Sequence, residues 1–511
     1  MYKSSNTRIV KNTIYLYCRM LLVMVAGLIT TRVALDKLGV EMYGVYNVIG
    51  GVVVLFSVVN ASLLSSTQRF ANYYQKEDKN VRREVFNSAL LNHLLISFII
   101  VALCETIGLW LVCNKLVYPT VYTSDVLQLY QLTIASVVVV TLQAPFNAMI
   151  IAHEKMNFYA LVSIVEALLY IGVAYMLSLD VPSKLVFYGA LLFFVKLIVF
   201  SCYVVYNVKQ YEEVRIKFVK DYSMCKRQLT FSFWSFWGAL GYTFSQQGLN
   251  MLLNIFFGAN VNAARGIAVQ VNGQLGVLSS NYQVAVNPQI VKTYACGDIK
   301  SMYRLVFDNI RISFFLNWLI VLPLLFVVDD VFRLWLVQVP EGAVLFTKII
   351  MLRLLLSPYE NPFNVVNGAT GNNKVYGLVS GLFLNLTLPL CYVLFLFNQI
   401  PWLAFVLDLL VFFCMIVWKT IYLHKTTKLS YRKFFYYSVL PNTKLLLMGL
   451  VLVSFAWHLL PYMGLLKDII IVVLATVITL FVGFHVSLDK QMRILLTNKI
   501  LKIMNYDKIR K

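Results

Sequence analysis

Long apolar segments dominate this 511-residue sequence and constrain its fold more than any other feature. A transmembrane helix needs about 20 mainly apolar residues. No segment shows the ten-residue alternation that is typical of a transmembrane β-strand. The sequence therefore predicts an all-α polytopic membrane protein with about fourteen transmembrane helices. The predicted spans lie at 12–34, 43–66, 86–111, 124–151, 157–178, 184–206, 229–257, 263–289, 306–328, 343–367, 375–397, 400–423, 443–460 and 466–487.

The overall composition fits the same class. Hydrophobic residues make up 60% of the chain and charged residues 13%, whereas soluble domains carry about 45–50% and about 25%. The high hydrophobicity excludes a disordered chain. A mean hydropathy of +0.74 argues against a nucleic-acid-binding protein despite the net charge of +21. The eight cysteines show no CxxC pair and no zinc-like spacing, so we predict no metal site and no cofactor.

The distribution of lysine and arginine predicts the orientation in the membrane. If successive spans alternate in direction, 32 of the 44 basic residues lie on one side, 6 on the other and 6 within the spans. Basic residues are enriched in cytoplasmic loops. Both termini are therefore predicted to be cytoplasmic, and the charge pattern independently supports an even number of helices.

An internal repeat relates the two parts of the chain. Pro-Phe-Asn at 145–147 precedes Tyr-Ala-Leu-Val-Ser at 159–163, and Pro-Phe-Asn at 362–364 precedes Tyr-Gly-Leu-Val-Ser at 376–380, an offset of 217 residues. Six predicted helices separate the copies. An even shift preserves orientation, so the pattern predicts two parallel six-helix lobes around a central cavity, plus two C-terminal helices. The predicted domains are an N-terminal lobe (1–207), a cytoplasmic linker (208–228), a C-terminal lobe (229–424), and helices 13 and 14 with a basic cytoplasmic tail (425–511).

Amide and aromatic side chains are concentrated in the seventh and eighth predicted spans. Amides about four residues apart share one face of a helix. A buried amide without a partner costs a few kcal/mol, so these residues either join the helices to each other or line a wet cavity. A cavity of amides and aromatic rings suits a sugar, and the number of amides favours that interpretation. The candidate glycan contacts are Gln246, Asn250, Asn254, Gln270, Gln274, Asn281, Trp234 and Trp237.

Four charged residues lie near the middle of predicted spans. A charge at that depth costs roughly 2.5–3.5 kcal/mol on insertion scales, so it normally pairs, faces the bundle interior, or acts on a substrate or proton path. Glu166 with Lys196, and Arg353 with Asp408, are possible pairs. None of the four has a charged counterpart at the repeat offset, which favours a functional role over an architectural one.

Prolines inside predicted spans mark possible hinges. A proline removes one backbone hydrogen bond and bends the helix axis. Pro145 lies in the fourth span, whereas Pro358 and Pro362 lie together in the tenth. Each is either a kink that neighbouring helices satisfy or a hinge in a broken helix whose freed carbonyls face a cavity.

The sequence contains no motif typical of an enzyme site. A nucleotide-binding glycine loop before GK[ST] and an HExxH motif are both missing, and the five histidines are scattered. The predicted outward loops are too short for an extracytoplasmic catalytic domain. We therefore predict that the protein is not an enzyme.

Several short motifs stand out along the chain: LITTR at 28–32, LGVEMYGVY at 38–46, NAARGIA at 262–268, AVNPQI at 285–290 and ATGN at 369–372. They resemble motifs of Wzx-type polysaccharide flippases of the multidrug/oligosaccharidyl-lipid/polysaccharide exporter superfamily. The resemblance covers nearly the whole chain and implies a multi-pass protein of the bacterial cytoplasmic membrane. It implies flipping of an undecaprenyl-diphosphate-linked oligosaccharide for capsule, O-antigen or exopolysaccharide assembly. It also implies cationic cavity residues, and by position the candidates are Arg353, Lys196, Arg19, Arg32 and Arg265.

The chemistry of the residues agrees with such a substrate, because arginine binds phosphate bidentately. We expect Arg353 and Lys196 to attract the diphosphate, and Glu166 or Asp408 to couple transport to an ion gradient. The expected partners are the lipid-linked oligosaccharide, membrane lipids, a proton or sodium ion and the polysaccharide assembly machinery, and no nucleic acid. The alternatives are a multidrug or cation antiporter of the same superfamily, a membrane glycan polymerase or ligase, and a flippase for the lipid-linked peptidoglycan precursor.

Overall fold

The structure is a computed structural model that describes residues 2–75, 77–153, 155–216, 222–371, 373–461, 463–487 and 493. Within the helices, the side chains of residues 2–19, 234–239, 285 and 373 lie outside that description. The described residues form helices and no strand, which confirms the predicted all-α class. The helices are α1 (Tyr2–Ser57), α2 (Val59–Tyr73), α3 (Lys79–Leu103), α4 (Leu109–Asn114), α5 (Thr123–Ala152), α6 (Met156–Met176), α7 (Lys184–Gln210), α8 (Ser223–Phe257), α9 (Ala259–Leu275), α10 (Val277–Ala295), α11 (Ile299–Trp335), α12 (Ala343–Leu354), α13 (Ser357–Thr370), α14 (Asn373–Phe397), α15 (Leu403–Thr427), α16 (Tyr431–Phe434), α17 (Leu440–Leu459) and α18 (Leu465–Val486).

Ten of the described helical segments are long and apolar enough to cross a membrane. Each of the fourteen predicted spans overlaps a helix, but those on α8 to α10 and on α12 and α13 are not among the ten. Those helices are rich in amides or interrupted by a break. A polytopic membrane protein is therefore confirmed, whereas the count of fourteen and the two-lobe layout stay predictions.

The first two predicted spans lie on α1 and α2, which are interrupted at Gly39 and at Val58. α1 is interrupted at Gly39, where φ is 78° and ψ is 167°. A positive φ favours glycine because a Cβ atom would clash with the backbone. The helix then continues to Ser57, breaks at Val58 and resumes as α2. The sequence predicts a loop between 34 and 43, but the structure has a helix there with one non-helical residue, Gly39.

Helix packing divides the chain into two compact units. The first comprises residues 1–267, 336–343 and 385–401, and the second comprises 268–335, 344–384 and 402–511. Helices α1 to α8 belong to the first unit, and α10 to α13 and α15 to α18 belong to the second. The predicted domains follow the sequence repeat rather than these contacts and stay predictions.

Close contacts at buried positions hold the first unit together. Tyr130 of α5 donates a hydrogen bond of 2.7 Å to the carbonyl of Cys104, in the π-helical turn that joins α3 to α4. The hydroxyl satisfies a backbone group in a turn whose hydrogen bonding departs from the α-helical pattern. Gly44 of α1 lies against the start of α9, and a Cβ atom there would be 1.9 Å from the carbonyl oxygen of Ala259. Only glycine fits at that position.

Glycines also allow the C-terminal helices of the second unit to pack closely against α11. A Cβ atom at Gly449 of α17 would lie 2.8 Å from the indole nitrogen of Trp318. A Cβ atom at Gly483 of α18 would lie 2.2 Å from the ring of Phe315. Small residues let membrane helices approach closely, where van der Waals packing replaces the hydrophobic effect. α17 and α18 therefore pack onto the second unit through α11.

Candidate functional site

The tenth predicted span is a broken helix. α12 ends at Leu354 and α13 begins at Ser357, with Pro358 in its first turn and Pro362 inside it. Proline suits the first turn of a helix because it has no N–H to satisfy there. The carbonyl of Leu354 accepts hydrogen bonds from the Ser357 hydroxyl (2.8 Å) and from the Asn317 amide (3.2 Å). Protein groups therefore satisfy the carbonyl of Leu354 at the break.

Arg353 lies immediately before that break and pairs with Asp408 of α15. Its Nε atom is 2.6 Å from Asp408 Oδ2, and the two side chains are 15% and 11% exposed. The guanidinium carbon is 4.1 Å from the centre of the Phe412 ring. The Nε and Nη2 atoms are buried, and neither forms a hydrogen bond with any residue that the structure describes, so the contact with Asp408 is ionic. The guanidinium thus retains a donor for a further ligand.

A second ion pair joins α13 to α15, and the sequence did not predict it. The Lys419 side chain is 2% exposed, and its ammonium donates hydrogen bonds to Glu360 (2.8 Å) and Asn364 (3.0 Å). The hydroxyl of Tyr376 donates to the same Asn364 oxygen at 2.9 Å. Because Lys419 comes near the end of the predicted span 400–423, the charge pattern counts it among the 32 basic residues on the cytoplasmic side. Its spacing of eleven residues from Asp408, about three turns, is the signal that it shares a helix face with a buried acid.

The first unit contains the third pair of deep charges. The Lys196 ammonium of α7 is 2.7 Å from Glu166 Oε1 of α6, and the Tyr170 hydroxyl donates to the same oxygen at 2.9 Å. The ammonium also lies 5.3 Å from the centre of the Tyr170 ring. The lysine and glutamate side chains are 31% and 22% exposed. This pair is therefore more accessible than the Arg353–Asp408 pair. Both pairs that the sequence suggests are formed.

Amides of α8 and α9 connect helices of the first unit. The Asn250 amide donates to the carbonyl of Asn47 in α1 (3.3 Å) and its oxygen accepts from Asn262 (2.9 Å). Asn254 is fully buried, accepts from the Val117 N–H (2.7 Å) and donates to the Val117 carbonyl (3.2 Å). The Asn250 hydrogen bonds are inter-helix contacts, one of the two interpretations, whereas those of Asn254 join α8 to the loop between α4 and α5. A glycan-binding role for Asn250 and Asn254 stays a prediction.

The remaining candidate residues are dispersed. Arg265 lies in α9, is 6% exposed, and donates from Nη2 to the Gln246 carbonyl at 2.8 Å, so a candidate cation contacts a candidate glycan residue. Arg32 is exposed on α1, and Pro145 lies inside the uninterrupted helix α5. Gln270, Gln274 and Asn281 are partly buried. The side chains of Arg19, Trp234 and Trp237 lie outside the described residues.

An apolar cavity of about 680 Å³ lies in the first unit between α1, α2, α3 and α8. Its lining is leucine, isoleucine, valine and phenylalanine, apart from Thr230 and Ser232. Such a lining accommodates a hydrocarbon chain and offers little to a sugar, whose hydroxyls need hydrogen-bond partners. The cavity therefore suits an apolar group, whereas the ion pairs suit a charged or polar one.

The chemistry available at these sites is ionic and hydrogen-bonding. In the described part of the chain, no three His, Cys, Asp or Glu side chains are grouped so that they could hold a metal ion. Charges held in pairs between membrane helices can bind an anion or exchange a proton when the pair opens.

Comparisons with known proteins add a family and a fold. The family described as polysaccharide biosynthesis protein matches residues 9–297. The structure of the lipid II flippase MurJ in an inward closed conformation is 13% identical, with a TM-score of 0.69 over 93% of this chain and 99% of that chain. An inward-facing multidrug resistance MATE family transporter of the MOP superfamily is 14% identical, with a TM-score of 0.64 over 82% of this chain and 96% of that chain. No curated protein matches the chain.

Proposed function

Because this chain belongs to the polysaccharide biosynthesis protein family, we propose that it flips undecaprenyl-diphosphate-linked oligosaccharide from the inner to the outer leaflet of the bacterial cytoplasmic membrane. The family match, which spans more than half of the chain, is the observation that carries the proposal. It is supported by a fold similar to that of a lipid II flippase and of a MATE transporter. The transported glycan would serve capsule, O-antigen or exopolysaccharide assembly.

The deep cations support a substrate that carries phosphate. A diphosphate brings negative charge into a region of low dielectric, where it needs cationic partners. Arg353 is ion-paired with Asp408, and its buried Nε and Nη2 donors have no hydrogen-bond partner among the described residues. Lys196 is partly exposed beside Glu166. In the proposal these two cations attract the diphosphate, and the prenyl chain stays in hydrocarbon.

The proposed arrangement in the membrane follows from the charge distribution and the repeat. Both termini are cytoplasmic in this arrangement because 32 of the 44 basic residues then face the cytoplasm. Fourteen helices form two parallel six-helix lobes and two C-terminal helices. Transport then proceeds by alternating access, in which the lobes rock about a site near the middle of the membrane.

Two acids are proposed to couple this cycle to an ion gradient. Glu166 and Asp408 each hold a candidate phosphate-binding cation. Protonation of the acid would remove the attraction between the two partners and release the cation toward the substrate. In reconstituted vesicles, the rate of flipping should therefore respond to a pH or sodium gradient, and an unchanged rate would refute the coupling.

The function is tested by deleting the gene and following the lipid-linked oligosaccharide. We expect cells without the protein to accumulate it on the inner leaflet and to lose surface polysaccharide, and wild-type protein to restore both. A polymerase or ligase would instead leave unpolymerised oligosaccharide on the outer leaflet. Intact surface polysaccharide with increased drug sensitivity would favour the antiporter. Accumulation of the peptidoglycan precursor would identify that lipid as the substrate.

A further inference from the structure

A second cavity, of about 450 Å³, lies in the second unit where α11 begins and α15 ends. Its floor is aromatic: the rings of Tyr303 and Phe307 in α11 are stacked, and Phe307 stacks in turn on Tyr437. Tyr303 and Phe307 are 7% and 6% exposed, so two of the three rings of the floor are buried. The hydroxyl of Tyr303 also forms a hydrogen bond with Thr427, the last residue of α15. The cavity is therefore a built feature of the fold rather than a gap between mobile side chains.

Four basic residues surround this floor. Lys300 and Arg304 come from the first turns of α11, whereas Lys428 and Lys433 come from the segment that follows α15. The ammonium groups of the three lysines form no ion pair with any residue that the structure describes. The one acid in the lining, Asp308, accepts a hydrogen bond of 2.6 Å from Arg311. The cavity thus has a clear excess of positive charge.

The surroundings of the cavity place it at the level of the membrane surface. It lies at the ends of two apolar helices, α11 and α15, each long enough to span a bilayer. Tyr437 of the lining and its neighbours Tyr431, Phe435 and Tyr436 are each between 44% and 54% exposed. Exposed aromatic rings in a row are typical of the interface between hydrocarbon and water, where they anchor a helix at the depth of lipid headgroups.

We propose that this cavity binds the phosphate group of a membrane lipid. Basic pockets between transmembrane helices bind anionic headgroups, because the lysines neutralise the phosphate while the acyl chains remain in the bilayer. The stacked rings suit the glycerol and the first methylene groups, since they present an apolar surface beside the charges. This site is separate from the deep charges and does not depend on which substrate the protein carries.

The backbone at Lys428 allows its charge to be removed without disturbing the fold. Lys428 has φ of 58° and ψ of 37°, a left-handed backbone conformation that residues with a Cβ atom rarely adopt. The position ends α15 in the manner of a glycine C-cap. Lys428→Gly therefore removes the charge while relieving backbone strain, which makes it a sharper test than an alanine substitution.

The proposal is tested by native mass spectrometry of the purified full-length protein with added lipids. The probes are the anionic phosphatidylglycerol and cardiolipin, undecaprenyl diphosphate, and phosphatidylcholine as the zwitterionic reference. The test variants are Lys428→Gly and Lys300→Ala/Lys433→Ala. The control is Lys425→Ala/Arg432→Ala, because Lys425 in the last turn of α15 and Arg432 in α16 are both exposed and outside the cavity lining.

We expect the anionic lipids to be retained over phosphatidylcholine, with retention about fivefold weaker for each cavity lysine removed. The control variant should retain lipid as the wild type does. Equal losses in the control and the cavity variants would overturn the proposal, because they would show a general effect of surface charge. Retention that is unchanged in the stable Lys428→Gly variant would overturn it as well. If undecaprenyl diphosphate displaces phosphatidylglycerol from the wild type but not from the cavity variants, the phosphate site stands and its occupant is the polyprenyl lipid.

Discussion

Replacing Asp408 with asparagine keeps the shape of the side chain but removes the charge that faces Arg353. The two side chains are 11% and 15% exposed, so the guanidinium would be left in a poorly solvated place. Removing one partner of such a buried pair costs about 3–5 kcal/mol, because the other charge is then uncompensated. We expect Asp408→Asn to lower the free energy of unfolding by roughly that amount.

The double substitution Arg353→Leu/Asp408→Leu separates pairing from substrate binding. Replacing both ions with apolar residues of similar volume is typically neutral or stabilising, by up to about 4 kcal/mol. The double variant should therefore recover the stability that Asp408→Asn loses. It should not recover polysaccharide export, because no guanidinium remains to meet the diphosphate.

Two measurements at matched membrane abundance check this prediction: unfolding of the purified protein in mixed detergent, and the amount of surface polysaccharide. The control is Lys348→Leu/Asp329→Leu, whose ion pair has a comparable contact of 2.7 Å but side chains that are 33% and 46% exposed. Exposed pairs contribute about 0–1 kcal/mol, so this variant should change little. If the Arg353→Leu/Asp408→Leu variant exports polysaccharide normally, Arg353 serves pairing alone. If Asp408→Asn is as stable as the wild type, the argument from burial is wrong.

Three further predictions concern stability. Asn254→Ala removes both hydrogen bonds to a backbone peptide and should destabilise the protein by about 1–3 kcal/mol in detergent unfolding; an effect on export alone would contradict a structural role. Gly44→Ala forces a Cβ atom against the Ala259 carbonyl and should sharply lower the yield of folded protein in gel filtration, whereas a normal yield would show that the helices can separate. The hydrogen bond from His153 lowers the pKa of Glu213. The stability that this loop contact adds is therefore fully present above the usual carboxyl pKa of about 4.3, and it is lost as the pH falls through the lowered pKa. The protection factors of the amides at 211–216, which correct for the intrinsic pH dependence of hydrogen exchange, should therefore fall only in acid, and Glu213→Gln should abolish that fall.

Much of the fold could be predicted because the membrane simplifies the physics. In hydrocarbon every backbone N–H and C=O must be satisfied within the segment, so each long apolar run has to be a helix. The structure confirms this, and the family match and the shared fold confirm the resemblance to Wzx-type flippases. Interruptions were harder to predict. A bend at Gly39, a break at Val58 and a break after Leu354 depend on how each turn is satisfied by its surroundings.

The sequence singles out some of the buried charges but not Lys419, because the prediction depends on how far a residue lies from the end of its predicted span. Arg353 and Lys196 stand out because they lie near the middle of their predicted spans. Lys419 does not, because it lies near the end of its predicted span, where a lysine normally extends to water. In the structure its ammonium is buried against Glu360, so distance along the helix was a poor guide to exposure.

The sequence by itself determined the class of protein, its helices, its family resemblance and the cations that most need an explanation. These follow from local hydrophobicity and charge, which act within one helix at a time. Only the tertiary structure decided which charges meet: Arg353 with Asp408, Lys196 with Glu166, and the basic residues around the aromatic floor of α11. Pairing depends on how each helix is rotated and packed, to within a few ångströms. The spacing of two residues along the chain does not give the distance between their side chains when they lie on different helices.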